Sequence, residues 1–187
     1  MEILGGSADY ENKFTVFTDG SALNNKSEAP AGWAVYIPRV KKLLSKPMIG
    51  TNNQAELEAM RYALWFIKMH LPEYKIEDKM IYVFSDSEYV INTLNNKWKA
   101  KENLAKIKVC RMLVQDMVEN GYNIEFIHAK AHTKKKDFIS LNNDIVDQEA
   151  RRRANEMKGM INNKDGGLDK KAWIPDNEQW DEAFLSY

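Results

Sequence analysis

Apolar and polar positions along the chain change period several times, and each change predicts an element. In Phe14-Thr15-Val16-Phe17-Thr18-Asp19, Phe17 and Asp19 fall on one alternating face and Phe14, Val16 and Thr18 on the other, so both faces are apolar or β-branched. That predicts a strand over about 13–18 buried on both sides, delivering Asp19, Gly20 and Ser21 at its carboxyl end. The phrase returns at residues 80–85, followed by Asp86. Residues 31–37 predict a second strand stopped by Pro38, and a weaker third lies within 41–50, broken by Pro47. The short loops between these three predict an antiparallel meander. From Gln54 to about His70 the period becomes helical through Leu57, Met60, Ala63, Leu64, Ile67 and Leu71, with cap-type residues Thr51-Asn52-Asn53 before it and Pro72 as its stop. Further helices are predicted from about Ser87, over about 102–120 and over about 141–157, with a fifth strand at 122–129.

The organisation read from this pattern is a leader at 1–12, one α/β domain at 13–158 and a tail at 159–187. In the tail Trp180 and Phe184 stand four apart among acids, which predicts a short amphipathic helix that docks on this domain or on another protein. The chain is long enough for one good core. Lys plus Arg and Asp plus Glu both number 27, so no global field draws in a polyanion, and a nucleic acid has to be met by local patches. The basic loop around Lys97-Trp98-Lys99 and the run 130–136 are the candidates. Cys110 is alone, which fits a reducing compartment. The amino end lacks a secretory pattern and no apolar run is long enough for a membrane helix, so a monomer in the cytosol or nucleoplasm, with no membrane partner, is expected.

The acids change the picture most. On a helical wheel Glu56 projects into the apolar stripe with Met60, Ala63 and Ile67, which is costly for a carboxylate unless it is paired or binds a cation. Glu58 falls on the polar side and reads as a solvated charge. Asp147 borders a stripe of Asn143, Ala150 and Ala154, whose small residues let the last helix approach a sheet. Asp19, Glu56, Asp86 and Asp147 therefore form a hard oxygen-donor set suited to Mg²⁺ or Mn²⁺. Two such ions, roughly 3.5–4 Å apart, are a known means of cleaving a phosphodiester. Neither a phosphate-binding Gly-rich loop with Gly-Lys-Ser/Thr nor a Gly-x-Ser-x-Gly elbow is present.

Four blocks, Phe17-Thr18-Asp19-Gly20-Ser21, Thr51-Asn52-Asn53-Gln54-Ala55-Glu56-Leu57, Ser85-Asp86-Ser87-Glu88-Tyr89-Val90 and Asn143-Asp144-Ile145-Val146-Asp147, resemble in order the signature of type 1 ribonuclease H. The resemblance implies a five-stranded mixed sheet, three strands antiparallel and two parallel, flanked by helices. It also implies hydrolysis of the RNA strand of an RNA:DNA hybrid with two Mg²⁺ ions, leaving 5′-phosphate and 3′-hydroxyl ends. By position, Asp19, Glu56, Asp86 and Asp147 match the metal-binding acids, and His132 the loop histidine that assists proton transfer or product departure. Gly20, Ser21, Thr51, Asn52, Asn53 and Gln54 match positions at the nucleic acid, where the 2′-hydroxyl marks the RNA strand. Thr51 reads equally as a helix cap. The chain departs from the pattern in a longer, lysine-rich loop between His132 and Asp147, in Asp144 where a Glu is usual, and in a short basic handle. Hybrid affinity would then rest on Lys97, Trp98, Lys99, Lys101, Lys106 and Lys108. The Thr-Asn-Asn block argues against a DNA-cutting enzyme on the same fold, and the four acids against a hybrid-binding module that no longer cuts.

Overall fold

The computed structural model describes residues 6–130, 136–163 and 167–175. Five strands, β1 (Thr15–Ala22), β2 (Pro30–Ile37), β3 (Lys42–Ile49), β4 (Met80–Ser85) and β5 (Asn123–His128), form one sheet in the order β3-β2-β1-β4-β5. β1, β2 and β3 pair antiparallel, while β4 lies parallel to β1 and β5 parallel to β4. The helices are α1 (Asn52–Tyr74), α2 (Glu88–Leu94), α3 (Leu104–Glu119) and α4 (Phe138–Asn163). Among the described residues no helix is long and apolar enough to cross a membrane.

The alternation along β1 sorts the core into two layers. Phe14 and Val16 join Leu57, Met60, Leu64, Ile107 and Leu113 beneath α1 and α3. Phe17 points to the other layer, stacks on Phe84 at 4.8 Å, and packs with Val146 and Ala150 of α4. Small residues set how closely α4 lies. A Cβ on Gly32 would stand 2.5 Å from Cβ of Arg153 and 2.6 Å from the Ala150 carbonyl oxygen, so only hydrogen fits there.

Several boundaries differ from those the pattern predicts. β1 runs to Ala22 because its pairing with β2 continues from Asp19↔Ala34 to Ala22↔Ala31, while its parallel pairing with β4 stops at Thr18↔Ser85. Asp19 is thus inside a strand, at the point where one of its neighbours falls away. Pro47 does not break β3, since an edge strand can spare a donor. Pro72 lies within the last turn of α1, which ends at Lys75 in a left-handed conformation (φ 45°). α4 begins three residues earlier than Leu141 and continues to Asn163. The segment 6–12 is not a loose leader: Ser7–Tyr10 forms a 3₁₀ turn, and Tyr10 is buried edge-on against Tyr82 and Phe84.

Glu58 and Lys106 differ most in character. Both are 4% exposed, against the expectation of a solvated acid and a nucleic-acid contact. Glu58 accepts from Nη2 of Arg61 and, through Oε2, from Nζ of Lys106 at 3.2 Å. A wheel of α1 alone shows one buried face; α3 packs on a second flank, which turns a polar position into an interior one. Removing one partner of such a group would strand buried charge, at a cost of about 3–5 kcal/mol.

Candidate active site

Asp19, Glu56 and Asp86 reach one place from three elements. β1 and β4 end their parallel pairing side by side, which brings Asp19 and Asp86 to the carboxyl edge of the sheet, where open α/β sheets bind ligands. α1 supplies Glu56 because its first turn presses directly on β1. A Cβ on Gly20 would overlap the Glu56 amide nitrogen and stand 2.6 Å from the Ala55 carbonyl oxygen. The start of α1 is fixed by a capping box: Thr51 Oγ1 accepts from the Gln54 amide at 3.2 Å, and Gln54 Oε1 from the Thr51 amide at 2.9 Å. Asn52 Oδ1 accepts from the Ala22 amide at 3.2 Å and ties that turn to the end of β1. His128, on β5, donates from Nε2 to the Asp86 carbonyl at 3.0 Å. The pattern assigns His128 to packing; its bond to the residue bearing the third acid shows only when β4 and β5 are paired.

Ligand atoms of Asp19, Glu56 and Asp86 all lie within 4.8 Å of one another. Asp19 and Glu56 are nearly inaccessible, and Glu56 Oε2 is buried with no hydrogen-bond partner. Burial, then repulsion from Asp86, pushes Asp19 well above the usual carboxylate range. Glu56 is pushed up by burial, then by Asp19 and Asp86, against a hydrogen bond from the Gly20 backbone that favours its charged form. Hard oxygen donors that repel one another, with a buried lone pair unmet, are a donor set suited to a hard divalent cation. Asp147 stands near enough to raise Asp19 but accepts from Nε of Arg151 at 3.0 Å and is not among the three convergent acids. Arg152 and Arg153 pair with Glu149 and Glu156. His132 lies outside the described residues.

The other residues singled out by the sequence divide by their surroundings. Gly20 is buried under α1, Ser21 is half-buried on β1, and the side chains of Thr51 and Gln54 are engaged in the cap. Asn53 is exposed and lines a cleft of about 530 Å³ with Tyr89, Lys97, Trp98, Lys99 and Lys101. Thr93, which also lines it, carries a buried hydroxyl without a hydrogen-bond partner. No simple period marks Thr93 or Tyr89 as cleft residues, because the opposite wall is a loop.

A mixed sheet with acids gathered at the junction of its antiparallel and parallel halves defines the ribonuclease H fold class. The family model for RNase H matches residues 11–155. The chain belongs to the RNase H family and is a ribonuclease H enzyme. It is 32% identical over 145 residues to a ribonuclease H of Ruthia magnifica subsp. Calyptogena magnifica, covering 73% of this chain and 91% of that one. It is 28% identical to a ribonuclease H of Caldicellulosiruptor saccharolyticus, covering 76% and 97%. Among solved structures, LC11-RNase H1, isolated from compost by a metagenomic approach, superposes with a TM-score of 0.57 at 25% identity, covering 78% and 97%. The same enzyme in complex with an RNA/DNA hybrid gives 0.56 at 24%, covering 75% and 98%, a likeness of fold.

The raised carboxyls make a prediction about stability. Asp19 and Glu56 bind protons more tightly folded than unfolded, so the folded metal-free protein holds more protons and loses stability as pH rises above the ordinary carboxylate range. Glu149 acts in the opposite direction and in a lower window. The hydrogen bond from Arg152, with help from Ser45, brings it down to about 2, so its contribution is full above about 4.5 and lost as pH falls toward 2. The melting temperature of metal-free protein should therefore pass through a maximum in mildly acidic buffer and decline toward neutrality. Added Mg²⁺ or Mn²⁺ should reverse that decline. Calorimetry with chelator and with each cation checks it; a neutral-side decline that persists when Asp19→Asn and Glu56→Gln are combined would disprove this origin.

Proposed function

We propose that this ribonuclease H hydrolyses the RNA strand of RNA:DNA hybrids with two divalent cations, Mg²⁺ or in its place Mn²⁺, leaving 5′-phosphate and 3′-hydroxyl ends. The observation that carries the reading is the convergence of Asp19, Glu56 and Asp86 within 4.8 Å on the fold of this family. When bound, the cations supply Lewis acidity and charge neutralisation at the scissile phosphate. Asp19, Glu56 and Asp86 would hold them, and Asp147, now paired with Arg151, would complete the set. His132, in the sequence Lys130-Ala131-His132-Thr133, carries a proton between the departing product and solvent.

Substrate recognition follows from what borders the acids. Half-buried Ser21 lies beside the acids on β1 while Gly20 serves to seat α1, and Asn52 and Asn53 sit at the start of α1 where amide groups meet 2′-hydroxyls and minor-groove base edges. The cleft beyond Asn53 joins an amide, the 48% exposed Trp98 and three lysines, a surface suited to the phosphates and sugars of the DNA strand. The cationic lip is short and the chain neutral overall, so binding should weaken only gently with salt.

The test is cleavage of an end-labelled RNA:DNA duplex in Mg²⁺, beside all-DNA and all-RNA duplexes of the same sequence. The hybrid should be cut in its RNA strand and the others left intact. Comparable cutting of the all-DNA duplex, or tight hybrid binding without turnover, would overturn the assignment.

A further inference from the structure

The segment bearing Trp180 and Phe184 lies outside the described residues. Within them, a row of polar side chains crosses the sheet beside the acids. Thr18 on β1, Ser85 on β4 and His128 on β5 are register partners, so all three project from one face. Each directs a hydrogen bond to the backbone where β4 ends. Thr18 Oγ1 donates to the Phe84 carbonyl at 3.3 Å, Ser85 Oγ accepts from the Ser87 amide at 3.1 Å, and His128 Nε2 donates to the Asp86 carbonyl at 3.0 Å. A carbonyl oxygen can only accept, so Nε2 of His128 carries a proton.

Two of these bonds close on a single peptide group. The Asp86 carbonyl and the Ser87 amide belong to the peptide joining residues 86 and 87; His128 holds its oxygen and Ser85 its nitrogen. A peptide is planar, so gripping both ends fixes its orientation. That orientation sets ψ of Asp86, and with it the direction in which the carboxylate leaves the backbone. Among the three convergent acids, Asp86 is the one without an element of its own. Asp19 lies within β1 and Glu56 within α1, whereas Asp86 stands between the end of β4 and Ser87, the N-cap of α2. The parallel pairing of β4 with β1 and with β5 has already stopped at Ser85, so no ladder supplies partners for the next peptide. The side chains of Ser85 and His128 take the place of the ladder.

We infer, on the reading that these acids hold divalent cations, that His128 is a positioning residue whose grip on the Asp86–Ser87 peptide, with Ser85 at the other end, sets the cation affinity of the site. His128 acts through the backbone of Asp86, at one remove from the cations. Losing a partner that orients a metal ligand typically costs roughly 10–100-fold in affinity or activity.

The test titrates the full, metal-free chain with Mn²⁺, followed by the electron paramagnetic resonance of the free ion, beside steady-state cleavage of the hybrid at one fixed Mg²⁺ concentration. His128→Phe keeps a ring and removes the donor. It should weaken Mn²⁺ binding by about tenfold and lower kcat by at least about tenfold, with KM for the hybrid within about twofold. His128→Gln places an amide N–H close to where Nε2 stands and should restore both quantities to within about threefold of the unaltered chain. Ser85→Ala, which frees the other end of the peptide, should act in the same direction as His128→Phe. Unaltered Mn²⁺ affinity and kcat in His128→Phe would overturn the inference while leaving the cations in place. So would a loss that His128→Gln does not restore, because ring packing and not the donor would then be its cause. If the unaltered chain itself bound no Mn²⁺, the cation reading would fall and this role of His128 with it.

Discussion

Asp86→Asn should reduce cleavage of the hybrid on the order of a thousandfold at saturating divalent cation while leaving hybrid binding within about threefold. The substitution keeps the shape of the side chain at the end of β4 and removes its charge from a group of acids whose oxygens lie within 4.8 Å. Asp86 is less buried than Asp19 and Glu56, so its replacement disturbs the core least. It also removes a repulsion that raises both of the others, so metal-free Asp86→Asn should be more stable than the unaltered protein near neutral pH. Single-turnover cleavage and thermal melting check the two halves separately. Cleavage at the unaltered rate would remove Asp86 from the site. Asp147→Asn should cost less than Asp86→Asn, because Asp147 is held by Arg151 and stands apart from the three convergent acids.

Gly20→Ala should destabilise the fold by about 3 kcal/mol and lower the melting temperature by about 6–12 °C. The added methyl has no flexible side chain to displace: it would overlap the Glu56 amide nitrogen and the Ala55 backbone in the first turn of α1. Accommodating it moves α1 off β1, and Glu56 with it, so activity should fall even at temperatures where the variant is folded. Gly159→Ala is the matched control. It lies in α4, where a Cβ meets nothing within 4 Å, and should be neutral or stabilising by up to about 1 kcal/mol. A melting curve for Gly20→Ala that overlays that of the unaltered protein would show that the contact between α1 and β1 can relax.

Sequence patterns reveal those parts of this architecture that depend on one element at a time. The two-faced burial of β1, the helical stripe holding Glu56, and the alanines that let α4 approach the sheet are each written in a local period; the antiparallel half of the sheet follows from short loops, whereas its parallel half is implied only by the resemblance to type 1 ribonuclease H. What depends on two elements meeting is hidden. Glu58 and Lys106 look solvent-facing on their own helices and become interior only where α1 and α3 touch. Tyr10 belongs to a short turn with no period, so nothing local announces that it packs on Tyr82 and Phe84. The extension of β1 past Asp19 is dictated by β2, not by β1's own residues. Asp19, Glu56 and Asp86 lie within 4.8 Å of one another, whereas Asp147 pairs with Arg151 one turn along α4, a contact that the motif alone does not reveal.

Pro47 has a consequence for how copies of this chain behave toward each other. β3 is the outermost strand on its side of the sheet, with one set of backbone groups facing away from β2. An unguarded rim of that kind can template pairing with a strand from a second molecule. A missing donor at Pro47 and the flanking exposed ammonium groups of Lys42 and Lys46 make such pairing discontinuous and electrostatically unfavourable. The edge thereby discourages sheet-to-sheet aggregation at high protein concentration.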